Sequence, residues 1–222
     1  WSFQAVKTMP CGDGGMITTN DKDLYDKLVP MTWLGISSTF SRVKKDDGLT
    51  GKPGYSWDYE VDMLGYKCYM IDLQAAICLE QMKKLPKNLE LRRHIQKRYN
   101  EELSDLIQPP PHSETVQYYC AKVDPNHRDR LIDYLATKKI HTSVHFKPLH
   151  LYNVVKDMNQ RDYPVANKEW KRLISLPCHP GMNDEDIDYV IYWVKEYFAE
   201  NKHTTITDDH IIHHGVIFED RN

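Results

Sequence analysis

The stretch Trp1-Ser2-Phe3-Gln4-Ala5-Val6-Lys7-Thr8-Met9-Pro10-Cys11-Gly12-Asp13-Gly14-Gly15-Met16-Ile17-Thr18-Thr19-Asn20 decides how this chain is read. A short apolar start leads to a single lysine, Lys7, and then to three glycines around Asp13. Met16-Ile17-Thr18-Thr19 follows with the apolar and β-branched content of a strand. The pattern predicts two strands joined by a tight, lysine-bearing turn. Glycine is required where the backbone takes positive φ or approaches another group closely, so Gly12-Asp13-Gly14-Gly15 marks a constrained loop. A lysine amine in a partly dehydrated site loses proton affinity and attacks carbonyl groups, the chemistry of Schiff bases. A solvated surface lysine beside a hairpin is the other reading this spacing leaves open.

The totals narrow the field. At 222 residues and 41% hydrophobic content, the chain can bury a real core and form one large or two small domains. A formal charge of -3 supplies no global basic field, so neither nucleic acid nor an anionic membrane surface is the expected partner. No run of about 18 apolar residues is present and no basic-then-apolar leader opens the chain, which makes a cytoplasmic location the expectation. Cys11, Cys68, Cys78, Cys120 and Cys178 are scattered and include no Cys-x-x-Cys pair, so neither a disulfide framework nor a zinc site is expected.

Outward from the opening stretch, residues 21–28 read as a helix capped by Asn20 or Asp21 and closed by Pro30. A long polar segment over 37–59 follows, in which Arg42, Lys44 and Lys45 either grip a phosphate or form a solvated excursion. From Met70 a helical period runs to Pro86, and residues 87–108 read as a second long helix with Arg92, Arg93, Lys97 and Arg98 mostly on its wet face. Pro109-Pro110-Pro111 is a rigid break suited to a domain crossover. Beyond it, residues 116–123, 128–138 and 140–146 read as strand, helix and strand. Another helix begins in 161–166, and Asn183 caps a last helix that buries Ile187, Val190, Ile191, Val194 and Phe198.

At the exit of the second of these strands, His145, Lys147 and His150 can bind an anionic or hydroxyl-rich ligand. His-x4-His also spaces metal ligands, but no convincing Cys, Asp or Glu set accompanies it, so no metal is expected. His179 reads as a packed or turn-stabilising residue. The histidines beyond residue 202 read as part of a tail without a defined role.

Several of these segments resemble the DegT/DnrJ/EryC1/StrS family of sugar aminotransferases. Ser2-Phe3-Gln4-Ala5-Val6-Lys7 with its glycine loop is similar to the family's Ser-Phe-His-x-x-Lys segment, with Gln4 where a histidine is common. Gly65-Tyr66-Lys67-Cys68-Tyr69-Met70, continuing to Gln74-Ala75-Ala76, is similar to Gly-Tyr-Asn-x-x-Met-x-x-x-Gln-Ala-Ala, with Lys67 in the asparagine's place. His145-Phe146-Lys147-Pro148-Leu149-His150 and Leu176-Pro177-Cys178-His179-Pro180-Gly181 match two further segments, and Trp33-Leu34-Gly35-Ile36 and Tyr55-Ser56-Trp57 look like one branch of the family.

The resemblance implies an α/β chain of fold type I. Residues 1–108 would end the large cofactor-binding domain, 109–201 would form a small α/β C-terminal domain, and 202–222 a tail of unknown role. It implies pyridoxal 5'-phosphate held as an aldimine on Lys7, which is also the proton carrier. Ser2 would bond the phosphate, Gln4 and Lys67 would be further cofactor contacts, and Trp33, His145, Lys147 and His150 would face the substrate. The implied reaction gives nitrogen, with glutamate as donor, to a nucleotide-linked keto-sugar in a homodimer with shared sites. The carboxylate and sheet that precede the lysine in the family are not in this sequence, so the chain reads as the C-terminal portion of such an enzyme. A truncated, non-catalytic dimerisation or interaction module is the alternative. A related cofactor-dependent sugar dehydratase is a third reading, which Lys7 disfavours because some of those proteins carry histidine there.

Overall fold

The computed structural model of the chain describes residues 1–36, 61–156 and 162–201. The basic loop with Arg42, Lys44 and Lys45, the Tyr55-Ser56-Trp57 segment and the tail from residue 202 lie outside the described residues. Two compact units divide the chain, Trp1–Asn88 and Leu89–Asn222.

In the first unit the opening stretch pairs only briefly. Ser2 and Gly15 form an isolated antiparallel bridge, flanked by Phe3 N–H to Gly14 O at 2.9 Å and Met16 N–H to Trp1 O at 3.1 Å. The expected hairpin is therefore a short clasp around a broad loop rather than two full strands. Helix α1 (Lys22–Thr32) starts where Asp21 accepts the Leu24 N–H, as the sequence indicates. Pro30 lies inside α1 instead of closing it. Phe3, Cys11 and Cys78 are buried together, with Met9 and Met70 packed against them.

Helix α2 (Asp72–Leu103) joins what the sequence presents as two helices. Proline removes one backbone donor and crowds the preceding turn. The good helix formers Lys83, Lys84 and Leu85 before Pro86, and Leu89, Glu90 and Leu91 after it, carry the helix through the defect.

The second unit is built on a small antiparallel ladder. Strand β1 (Tyr119–Lys122) pairs with strand β2 (Leu173–Leu176) in the register Tyr119 to Leu176 and Cys120 to Ser175. Between them come α3 (Pro125–Thr137), a 3₁₀ turn at Leu149–Leu151, α4 (Asn153–Lys156) and α5 (Pro164–Trp170). Helix α6 (Asp184–Glu200) closes the chain's described part. It begins with a reciprocal cap in which Asn183 Oδ1 accepts the Asp186 N–H and the Asp186 carboxylate accepts the Asn183 N–H. Three carboxylates in its first turn agree with the positive end of the helix dipole.

The expected strand over 140–146 is reduced to one bridge, Ser143 to Ser175. Strand alternation sends Tyr119, Ala121, Ile174 and Leu176 into the core, where they meet Ile95, Tyr99, Leu131 and Val194. Desolvation pushes the Tyr99 and Tyr119 phenols above their usual range.

The arginines of α2 are not one wet face. Arg92 is 9% exposed and donates to the carbonyls of Gln117 and Cys178 at 2.8 and 2.6 Å, the first bond half-buried and the second buried. Arg98 bonds Glu102 at 2.7 Å and Asp188 at 2.5 Å, a half-exposed network between α2 and α6. Arg92→Ala is expected to cost about 3 kcal/mol, since charge-assisted bonds to buried acceptors are lost together. The exposed Arg93→Ala should stay within about 0.5 kcal/mol. Urea denaturation of both variants checks the contrast.

Candidate active site

The structure places the expected site residues in two groups, one in each unit. In the first, Lys7 is half-buried on a turn closed by its own N–H to the carbonyl of Gln4 at 2.9 Å. The Gln4 side chain serves the same turn, its Oε1 accepting the Val6 N–H at 3.1 Å. Gln4 thus shapes the lysine's backbone. Among the described residues, the Lys7 amine has neither a hydrogen-bond nor an ion-pair partner. Ser2 lies at the clasp with its side chain exposed.

The loop beyond Lys7 is pinned by contacts that its spacing does not announce. Gly14 takes φ 134°, which strains any side chain there, and a Cβ would press on Met70 Cε at 3.3 Å. Gln74, in the first turn of α2, donates to Asp13 O at 3.1 Å and accepts the Ile71 N–H at 3.3 Å. Cys11 adds an S–H bond to Asp13 O at 3.1 Å. Sequence reasoning missed Gln74 as an anchor because a bond spanning 61 residues leaves no local pattern. Beside this loop is a 370 Å³ cavity lined by Asp13, Gly14, Gly15, Cys68, Tyr69, Met70 and Gln74.

Trp33 and Lys67, expected on substrate and cofactor respectively, meet each other. They form an antiparallel bridge, and the Lys67 ammonium lies 5.4 Å from the centre of the indole. Tyr69 closes on Trp33 edge to face with centroids 4.5 Å apart. The aromatic face attracts the ammonium and so orients the lysine side chain.

In the second unit, His145, Lys147 and His150 follow the Ser143 bridge. His145 is half-buried, stacked on Tyr118 at 3.9 Å, with Nδ1 2.8 Å from Ser175 Oγ. His150 donates its Nε2–H to Asn167 Oδ1 at 2.8 Å and lies against Tyr163 at 4.6 Å. The Lys147 ammonium is 5.1 Å from the Tyr152 ring centre. A separate 620 Å³ cleft in this unit is lined by Lys138, Lys139, His141, His179 and Tyr189, among others, and by none of the three expected substrate residues. No group of three or more potential metal ligands occurs among the described residues.

As a donor set, these residues suit an aldehyde-bearing phosphorylated cofactor. By chemical type, a half-buried primary amine on Lys7 fits an aldehyde, and the Ser2 hydroxyl and the Lys67 ammonium, the latter lying over Trp33, are of the kinds that fit phosphate oxygens.

With that geometry in hand, the comparisons with known proteins converge. The model of the DegT/DnrJ/EryC1/StrS aminotransferase family matches residues 1–195, and the chain belongs to that family. Aminotransferases of this family depend on pyridoxal phosphate. The spore coat polysaccharide biosynthesis protein SpsC of Bacillus subtilis is 35% identical over 210 residues, 88% of this chain and 52% of that protein. GDP-perosamine synthase of Escherichia coli O157:H7 is 28% identical, over 90% of this chain and 51% of that enzyme.

Among solved structures, the aminotransferase TlmJ of Streptoalloteichus hindustanus aligns with TM-score 0.77 and 27% identity, over 91% of this chain and 52% of that one. Spr1654 of Streptococcus pneumoniae in its PLP-form gives TM-score 0.73 and 27% identity, over 90% and 51%. The likeness supports the α/β, fold-type-I expectation. The chain spans about half the length of the relatives it matches. No helix among the described residues is long and apolar enough to cross a membrane.

Burial lowers the pKa of His145 below the ordinary imidazole value of 6.5. The folded value is therefore depressed. The stability gained by keeping this ring neutral is fully present above about pH 6.5 and is lost as the pH falls through the lower folded value. His145→Asn should flatten that part of the stability profile, as read by denaturant unfolding across the acidic limb.

Proposed function

We propose that this chain supplies the cofactor-bearing lysine and part of the substrate side of a pyridoxal-phosphate-dependent aminotransferase that aminates a nucleotide-linked keto-sugar. The observation that carries this reading is the turn that holds Lys7 half-buried, its backbone fixed by Gln4 and its amine free of a carboxylate among the described residues. When bound, the cofactor withdraws electrons from the carbon whose proton is moved.

Within this chain, Lys7 would hold the cofactor through its Nζ, and the same amine would be the group that carries the proton. Ser2 and Lys67 take the phosphate, with Gln4 keeping the lysine turn in shape. Trp33 is read as a substrate contact of the first unit; His145, Lys147 and His150 are read as substrate contacts of the second, where neutral and charged N–H donors suit a ligand rich in hydroxyl and phosphate oxygens. The name of the GDP-perosamine synthase relative supports a nucleotide-linked sugar as the substrate class. Family membership supports glutamate as donor, a cytoplasmic homodimer with shared sites, and the division of the chain near residue 108 between large and small domains.

The test is an absorbance titration of the 222-residue chain and its Lys7→Ala variant with pyridoxal phosphate. A saturable visible band in the native chain, lost in the variant, is expected. Equal, non-saturating spectra in both would reject cofactor binding by this chain and favour the non-catalytic interaction module.

A further inference from the structure

Ser175 occupies the middle of the second unit's ladder. Cys120 stands directly opposite it on β1, and Ser143 bridges its other edge. Its amide donates to Ser143 O at 2.7 Å, and its carbonyl accepts the Ser143 N–H at 3.1 Å. The main chain is thus held from both sides. Period-two alternation then places the Ser175 side chain on the face opposite Ile174 and Leu176, whose side chains enter the core.

That second face carries a chain of polar side chains. Ser175 Oγ is 2.8 Å from His145 Nδ1 and 3.2 Å from Cys120 Sγ. Tyr118, two residues before Cys120 and on the same face, stacks on the imidazole with the ring planes 18° apart. The stack sets the plane of the ring, and the hydroxyl fixes its rotation within that plane. His145 Nε2 has no partner among the described residues.

At 5% exposure, Ser175 has little access to water, so its single hydroxyl proton must choose between two neighbours. An imidazole nitrogen is a strong acceptor, whereas a thiol sulfur is a weak one and its S–H a weak donor. The arrangement that uses both protons best runs from Cys120 S–H to Ser175 Oγ and from Ser175 O–H to His145 Nδ1. The reverse order would have His145 Nδ1–H donate to Ser175 Oγ and would spend the hydroxyl proton on sulfur, the weaker acceptor.

We infer that Ser175, backed by Cys120, is a positioning residue that fixes His145 as the tautomer protonated on Nε2, presenting a neutral N–H donor to an oxygen of the substrate. The inference rests on the proposed placement of His145 on the substrate side. It adds the part of the site that sets which nitrogen does the recognising. Tyr118 contributes the ring's plane, and Ser143 keeps Ser175 at the height where its hydroxyl reaches Nδ1.

The test is nitrogen NMR of the full chain with ¹⁵N-labelled histidine, at a pH where the ring is neutral, with His145→Gln identifying the signal. In the native chain, Nδ1 should appear as an unprotonated, hydrogen-bonded nitrogen and Nε2 as protonated. Ser175→Ala should lose this fixed state: Nδ1 shifts to its unbonded position and the Nδ1–H form becomes populated. Ser175→Thr, which keeps the hydroxyl, should retain it.

The Ser143 amide signal reports whether the ladder is intact in each variant, separating lost positioning from lost fold. A native proton on Nδ1, or a tautomer unchanged by Ser175→Ala, overturns the inference. The readout needs neither cofactor nor turnover. A fixed Nε2–H tautomer in a chain that binds no pyridoxal phosphate would therefore sink the aminotransferase reading alone, and the opposite pair of results would sink only the positioning role.

Discussion

The two-faced ladder of β1 and β2 is the constraint on which the second unit depends. A strand can bury only alternate residues on one side, so committing Tyr119, Ala121, Ile174 and Leu176 to the core leaves Cys120 and Ser175 for the other side. A slip of one residue would bury the polar set and expose the apolar one. Hydrophobic burial, the largest stabilising term in folding, therefore also fixes where His145 finds its hydroxyl. Arg92 reinforces this from α2 by holding the carbonyls of Gln117 and Cys178, just before β1 and just after β2.

The first unit rests on different physics. Among its described residues only Phe3, Cys11 and Cys78 form a buried apolar cluster, while Trp1, Leu64 and Tyr66 stay largely exposed. With so small a core, the shape of the lysine loop is set by backbone bonds, by two positive-φ glycines and by the reach of Gln74 to Asp13. Such a loop holds its form through directional contacts, each worth about 1 kcal/mol net. Lys7 is consequently placed by its neighbours in sequence, with Gln4 acting twice on a turn only three residues long in reach.

What could be read from the residues follows this division between local and distant causes. The start of α1 and the start of α6 were legible because Asp21 and Asn183 act within three positions of themselves. The family was legible because its motifs are contiguous. The passage of α2 through Pro86 was not, since proline's local penalty argues for a stop and the flanking helix formers outweigh it. Arg92 could not be told from Arg93 by type; only the fold shows which one meets buried carbonyls. The hydroxyl beside His145 comes from 30 residues away and depends on strand register, which no spacing rule encodes.

The account's central claim is that Lys7, among the lysines of this chain, is the one that holds the cofactor. The direct measurement is borohydride reduction of the chain in the presence of pyridoxal phosphate, followed by digestion and peptide mass mapping. The account predicts a pyridoxyl group at near-stoichiometric yield on the peptide containing Lys7. Modification spread over exposed lysines, with Lys7 no more labelled than Lys22 or Lys147, would contradict it.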